Sequence, residues 1–457
     1  MNEQRIQAYV QLIQLLLGCP DGQEAEILQA HRELLDAGLI EVMQQYGSYL
    51  ESQGNGNAAQ WLLELVGLLA ESLGMGNAEA GGSPEESEHF LRAVFQLIAQ
   101  SQEDAQQVYP FLVQHQHRLA ESLLQTLPKL GAQLLAGDAE PQFGVAALFI
   151  SFGNLISQFP LGRRWLNLEL GITAYELALQ VYTREAFPEQ WAMTQNNLAN
   201  VYSERIRGDR ANNIEQAISA YQLALQVRTH EAFPENWAMT QNNLAVAYIY
   251  SIRGNRANNL EQAIAACQMA LQVRTREAFP GQWATTQNNL AVAYKDRIQG
   301  DRVDNFEQAI AACQLALQVY TRKAFPDDWA MTQNNLANTY TYRIRGNRAD
   351  NHEQAIAAYQ LVLQVYTREA FPENWAKTQN NLAIVYSDRD DCTNNLEQAI
   401  SAYQLVLQVY TREAFPENWA KTQNNLANVY SKRIQGDRTD NLEQAISTYQ
   451  LVLQVYN

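Results

Sequence analysis

"AFPENWAMTQNNLAVAYIYSIRGNRANNLEQAIAACQMALQVRTRE", residues 232–277, recurs along the chain with few changes. The copies are marked by Trp191, Trp237, Trp283, Trp329, Trp375 and Trp419, at spacings of 46, 46, 46, 46 and 44 residues. A fixed period of this length means one supersecondary unit duplicated into an array, so the fold follows from what a single block can form.

Each block carries two helical patterns. In the first, Trp191, Gln195, Leu198, Ala199, Tyr202 and Ile206 fall on one stripe of a 3.6-residue helix; in the second, Ile214, Ala217, Ile218, Tyr221, Ala224 and Leu225 do the same. Pro188, Pro234, Pro280, Pro326, Pro372 and Pro416 sit where a first-turn proline is tolerated, each after a Phe able to pack back onto the helix. Gly208, Gly254, Gly300, Gly346 and Gly436 follow the first helix, where a left-handed cap is wanted. Asn212, three residues before Glu215, gives a capping-box signature for the second helix. No stretch alternates with period two for long enough to argue a strand. A single helix pair cannot bury its apolar stripes, but stacked pairs can, so the pattern predicts an all-α solenoid of antiparallel helix pairs, with Ala199, Ala217, Ala220 and Ala224 allowing close approach.

"NNLANVY" followed by "EQAISAYQLAL" resembles the tetratricopeptide repeat (TPR), through Leu198, Ala199 and Tyr202 on helix A and Ala217, Tyr221 and Ala224 on helix B. That family's unit has about 34 residues; this one is longer at both turns and is similar to the long repeats of kinesin light chains, which share Asn-Asn-Leu-Ala. It departs from the family in placing Gln195 at the helix A aromatic position, with Trp191 one turn earlier, and in moving the terminal Pro into the next helix. The same register, carried back 46 residues, makes Pro141–Phe159 a degenerate helix A, followed by a second helix in "NLELGITAYELALQVYTREAFP" from Asn167. This apolar, charge-free stretch is therefore expected to be a repeat helix and not a membrane span. The expected repeats are 141–187, 188–233, 234–279, 280–325, 326–371, 372–415 and 416–457, seven in all. The block with Trp375 reads "YSDRDDCTNNLEQ", two residues short and without the turn Gly, which predicts a local bend.

In front of the array, helical patterns at Leu12, Ile13, Leu16 and Leu17, at Leu34, Leu35, Leu39 and Ile40, and at Trp61, Leu62, Leu65 and Leu69 give a helical module over 1–74. A Gly-rich linker is expected over 75–89 and a second helical module over 90–140. The arrangement resembles the non-catalytic front part of bacterial TPR proteins that carry a C-terminal CHAT domain, a caspase-like peptidase. No strand-rich domain with a His and Cys dyad is present, so the resemblance implies no proteolytic activity, and the chain is expected not to be an enzyme.

Of 457 residues, 47% are hydrophobic and the net charge is −17, with 7 Lys plus Arg against 19 Asp plus Glu before residue 166. Such an acid balance argues against a phosphate-gripping surface, so no nucleic-acid partner is expected. Cys19, Cys267, Cys313 and Cys392 form no CxxC pair, which fits a reducing, cytoplasmic setting without disulfide or zinc framework. Cys267 and Cys313 stand where other copies have Tyr and are read as core fillers, while His115 and His117, two apart, make a poor metal pair. No cofactor or metal is called for.

The resemblance implies that the A helices line a groove and that their Asn pairs bond the backbone of an extended protein or peptide segment. The candidate residues are Asn196 and Asn197, Asn242 and Asn243, Asn288 and Asn289, Asn334 and Asn335, Asn380 and Asn381, and Asn424 and Asn425. An amide both donates and accepts, so it can read a peptide bond. The same amides could instead lock neighbouring helices together. Two positions vary between copies on this face: Asn200, Val246, Val292, Asn338, Ile384 and Asn428, then Glu204, Tyr250, Asp296, Tyr342, Asp388 and Lys432. Tyr250 and Tyr342 join the candidate site. The expected function is a non-catalytic protein-interaction scaffold in signalling or regulatory assemblies. The alternatives are a regulatory subunit or fragment of a CHAT-type peptidase and a structural solenoid that self-associates through its uncapped C-terminal helix, at Leu451, Val455 and Tyr456.

Overall fold

The computed structural model describes residues 3–18, 27–28, 31, 34–52, 61–63, 65–67, 69, 83–136, 139–389 and 393–453. Most of the described residues are helical, and none is in a strand. By internal packing the chain divides into two units, Met1–Leu177 and Ala178–Asn457.

The first unit contains α1 (Glu3–Gly18), α2 (Ala37–Ser52), α3 (Pro84–Ser101), α4 (Ala105–Gln114), α5 (Ser122–Leu135), α6 (Ala139–Gln158) and α7 (Arg164–Ala178), the last residue of α7 falling in the second unit. The stripes read from the N-terminal sequence meet in one core, where Tyr9, Leu12, Ile13, Leu16, Leu39, Met43 and Leu62 are buried. Helix α3 opens at Pro84, inside the stretch read as a linker, because Ser83 and Glu86 complete a capping box with Pro at the first turn. The rest of that stretch, 75–82, lies outside the described residues. The apolar segment from Pro141 forms most of α6, and no helix among the described residues is long and apolar enough to cross a membrane.

The second unit is a run of helix pairs: α8 (Pro188–Glu204) with α9 (Arg210–Ala224), α10 (Pro234–Tyr250) with α11 (Arg256–Val273), α12 (Pro280–Asp296) with α13 (Arg302–Ala316), α14 (Pro326–Thr341) with α15 (Arg348–Val362), α16 (Pro372–Ser387) with α17 (Thr393–Val406), and α18 (Pro416–Lys432) with α19 (Arg438–Leu453). Each helix packs first on its pair partner and next on the following pair, as an α-solenoid requires. Ala199, Ile214, Ala217, Ile218 and Tyr221 of one pair enclose Leu244 and Ala247 of the next, and the same positions recur along the array.

The punctuation residues act locally. Every first helix of this unit has Pro at its first turn, and the preceding Phe packs edge-on against an upstream Tyr where one is present, as for Tyr182 and Phe187 at 5.4 Å. Gly208, Gly254, Gly300, Gly346 and Gly436 all have φ between 71° and 89°, a conformation that favours glycine. They lie in the turn and immediately precede the caps Asp209, Asn255, Asp301, Asn347 and Asp437. These, and not Asn212 with its counterparts, hold the first turn of the second helix; Asp209 accepts from Asn212 N at 2.8 Å. Asn213 folds back to donate to the carbonyl of Arg207 at 2.9 Å, tying the turn shut. Ile206, placed on the core stripe by its spacing, sits beyond the end of α8 and is 59% exposed.

Consecutive pairs are stapled by side chains 36 residues apart. Arg297 forks onto Glu261 with bonds of 2.7 and 2.8 Å, Arg343 onto Glu307 and Arg433 onto Glu397 in the same way, and Ser251 donates to Glu215 where no Arg is available. A bidentate fork fixes direction as well as distance, so these pairs set the register between repeats. The shortened turn after α16, with the predicted bend at residues 390–392 and Cys392, lies outside the described residues, as do Cys19, Val455 and Tyr456.

Candidate functional site

The Asn pairs lie in the middle of α8, α10, α12, α14, α16 and α18, and six identical motifs occupy three environments. Asn196, Asn242 and Asn288 are buried, Asn334 and Asn380 are half-buried, and Asn424 is exposed. The second members, Asn197, Asn243, Asn289, Asn335, Asn381 and Asn425, are half-buried throughout. From α8 to α14 the amides bridge neighbouring first helices: Asn243 Nδ2 donates to Asn200 Oδ1 (3.1 Å), Asn289 to Asn242 (3.1 Å) and Asn335 to Asn288 (3.0 Å). Asn196 Oδ1 accepts from Thr240 Oγ1 at 3.0 Å. Beyond α14 the ladder is open. Asn334 Oδ1 and Asn380 Oδ1 are sealed from solvent with no partner, and Asn381 and Asn425 make no side-chain hydrogen bond among the described residues.

Where the first variable position holds Asn, it bonds the Tyr of its own pair. Tyr221 donates to Asn200 Oδ1 at 2.6 Å, Tyr359 to Asn338 at 2.8 Å and Tyr449 to Asn428 at 2.7 Å; Tyr175 repeats the bond to Asn154 between α6 and α7. Where the first helix has Val246 or Val292, the second has Cys267 or Cys313, both fully buried. A buried hydroxyl needs an acceptor, whereas a small thiol is content beside Val. Burial pushes both thiols up to about 12 and raises the Tyr221 and Tyr359 phenols well above their usual range.

The second variable position does reach the surface. Tyr250 and Tyr342 are 60% and 54% exposed at the ends of α10 and α14, and burial of its hydroxyl together with Asp388 raises the Tyr342 phenol. Two residues further on, Ile252 and Ile344 are exposed in the turns, as are Ile206, Ile298 and Ile434. Periodicity hid these isoleucines. Their place after the helix end and two residues before the Gly was the signal that could have separated them from the stripe.

On α19, Leu442 and Ile446 are exposed, whereas Ile218, Ile264, Ile310, Ile356 and Ile400, the counterparts of Ile446, are buried under the next pair. His115 stacks on Phe111 at 4.2 Å and its Nδ1 meets the Phe111 carbonyl, a packed ring within α4 and its cap. No group of three or more His, Cys, Asp or Glu able to hold a metal occurs among the described residues.

Residues 191–231 and 329–368 match the family model described as "Tetratricopeptide repeat". A search of curated proteins gave no match. Among solved structures, the C-terminal part of a TPR repeat-containing protein from Cytophaga hutchinsonii matches at 13% identity and a TM-score of 0.37, over 70% of this chain and 98% of that one. The anaphase-promoting-complex hetero-tetramer Cut9–Hcn1 matches at 14% and 0.41, over 99% and 92%, and the P58(IPK) TPR domain at 13% and 0.28, over 93% and 98%. The two matched segments each run from the Trp of a first helix to just past the end of its partner helix, and the remaining blocks repeat nearly the same residues. The chain carries tetratricopeptide repeats in these two segments.

Proposed function

We propose that this chain is a non-catalytic scaffold that binds an extended protein or peptide segment across its first helices, in regulatory assemblies. TPR repeats in general mediate protein–protein interaction. The reading is carried by the open part of the Asn ladder. Asn381 and Asn425 hold amides that no neighbouring helix uses, and each has both donors and an acceptor to offer a peptide bond. Tyr250 and Tyr342 add large exposed apolar area at the helix ends. Affinity then comes from many weak contacts over a long surface, set against the ordering of the bound segment. The array is proposed as seven repeats over 141–457, supported by the bond from Tyr175 to Asn154, which copies that from Tyr221 to Asn200.

The test is selection of ligands for the full chain from a displayed library of unstructured peptides. Ligands are expected whose affinity falls at least about tenfold in an Asn381→Ala/Asn425→Ala double variant of unchanged helicity, about 1.4 kcal/mol. Selected ligands that bind the variant equally would exclude the open ladder as the contact surface.

A further inference from the structure

One position at the end of each second helix reads Tyr182, Arg228, Arg274, Tyr320, Tyr366, Tyr410 and Tyr456 in successive copies, the last outside the described residues. The four tyrosines among the described residues show what the fold wants there. All are buried; Tyr320, Tyr366 and Tyr410 donate to a carbonyl in the first turn of their own first helix, those of Gly281, Asp327 and Glu373. Arg228 and Arg274 occupy the same place at 6% and 8% exposure, so two consecutive repeats carry a charge where the others carry a phenol.

Neither charge is balanced. Among the described residues, neither guanidinium has a carboxylate within ion-pairing distance, and each makes one hydrogen bond: Arg228 Nη1 to Thr240 Oγ1 at 3.0 Å and Arg274 Nη1 to Thr286 Oγ1 at 3.1 Å. A guanidinium has five N–H donors, so most are unused. The Nε and Nη2 atoms have no partner among the described residues, and they are not fully sealed from solvent. Taking a cation out of water without an opposing charge costs several kcal/mol, and a Tyr at this position avoids that cost. Burial pulls Arg228 down to about 10, with Glu189 acting against it, so it stays charged at neutral pH, and burial lowers Arg274 too. Thr240 also donates to Asn196 Oδ1, placing Arg228 one hydrogen-bonded step beneath the Asn ladder between α8 and α10. Arg274 bonds Thr286 on α12 in the same way, but Thr286 donates to the Gln282 carbonyl of its own helix and not to the ladder.

We propose that Arg228 and Arg274 are a pair of oxyanion-binding positions, one repeat apart, that receive acidic groups carried by the segment bound across α8, α10 and α12. The planar fork matches a carboxylate or a phosphoryl group bidentately, and a half-desolvated site strengthens that match. Only the identity of the carrier rests on the scaffold reading; the two sites take a free anion without it.

The experiment titrates the full chain with a capped hexaglutamate peptide, and separately with inorganic phosphate, by calorimetry. Arg228→Tyr/Arg274→Tyr is the principal variant, since Tyr is what the other copies hold, and Arg228→Gln/Arg274→Gln is the second should the first perturb the helical signal. Saturable binding of hexaglutamate, weakened at least tenfold in the double variant and unchanged in Asn381→Ala/Asn425→Ala, is the expected result. Arg-dependent binding of phosphate in place of hexaglutamate supports the site and assigns it to a phosphoryl group. The idea is overturned if neither probe binds up to millimolar concentration, or if both Arg-free variants bind as the native chain does. Loss of displayed-peptide binding in Asn381→Ala/Asn425→Ala bears on the scaffold reading alone.

Discussion

Substituting the same Asn in two copies of one motif separates a structural amide from an available one. Asn289 and Asn381 both stand in "TQNNLA", so the helix-propensity gain on going to Ala is shared and cancels in the comparison. Asn289→Ala removes the 3.1 Å bond to Asn242 Oδ1 and strands that acceptor in a site where Asn242 is 6% exposed. Losing the bond and leaving a buried acceptor unpaired costs about 1–3 kcal/mol. Asn381→Ala removes a half-exposed amide with no bond, and Asn334 Oδ1 beside it is already unpaired, so the change stays within about 0.5 kcal/mol. A solenoid does not unfold all at once, so the assay is amide hydrogen exchange resolved by helix. Protection in α10 and α12 should fall roughly 5- to 150-fold in Asn289→Ala, while α14 and α16 hold theirs in Asn381→Ala. Equal losses in the two variants, or none in the first, would refute the division of the ladder into closed and open parts.

The Asn–Tyr and Val–Cys pairs make a second test. Cys313→Tyr alone forces a ring and an unpaired hydroxyl against Val292, an overpacking cost of about 1–3 kcal/mol. Adding Val292→Asn rebuilds the pair seen at Asn200 and Tyr221 and should recover about 1 kcal/mol or more in a double-mutant cycle; simple additivity would contradict the pairing. A third expectation concerns acid. The Arg343 fork holds the Glu307 carboxyl below its ordinary value of 4.5, with burial opposing. A depressed folded pKa means the contribution is complete above 4.5 and is lost as pH falls from there through the folded value. With side chains 21% and 24% exposed the pair contributes about 1 kcal/mol at most, so the stability gap between native chain and Glu307→Gln should be constant above about pH 5.5 and close below 4. A gap that persisted at pH 3 would show that the carboxylate charge is not its source.

Local chemistry made the helix pairs legible. Pro at a first turn and Gly at positive φ are demands of the backbone itself, and the 46-residue period repeats them until the pairing is unambiguous. Capping was harder, because Asp209 and Asn212 are both suitable caps, and only the chain path through Gly208 decides for Asp209. Ile206 was misplaced for a related reason: a stripe continues on paper past the residue where the helix stops. The Asn pairs were beyond reach from local sequence, since identical motifs differ in burial according to how closely the next first helix approaches. That distance is set by the whole stack. Asn200 and Tyr221 could have been joined from sequence, by noticing that Val and Cys replace them together.

That last observation separates two kinds of difference among near-copies. Where Asn gives way to Val on a first helix, Tyr gives way to Cys on its partner; where Arg is absent at Ser251, the hydroxyl still meets Glu215. These exchanges are compensated within the chain and keep each unit packed. Arg228 and Arg274 break the pattern, because nothing nearby changed to meet their charge, and the tyrosines at the same position show that packing did not require it. An exchange that costs burial energy and gains one hydrogen bond inside the fold leaves a charge that a ligand can balance. The balance these two residues lack is an anion, and the first helices above them are where the solenoid would receive one.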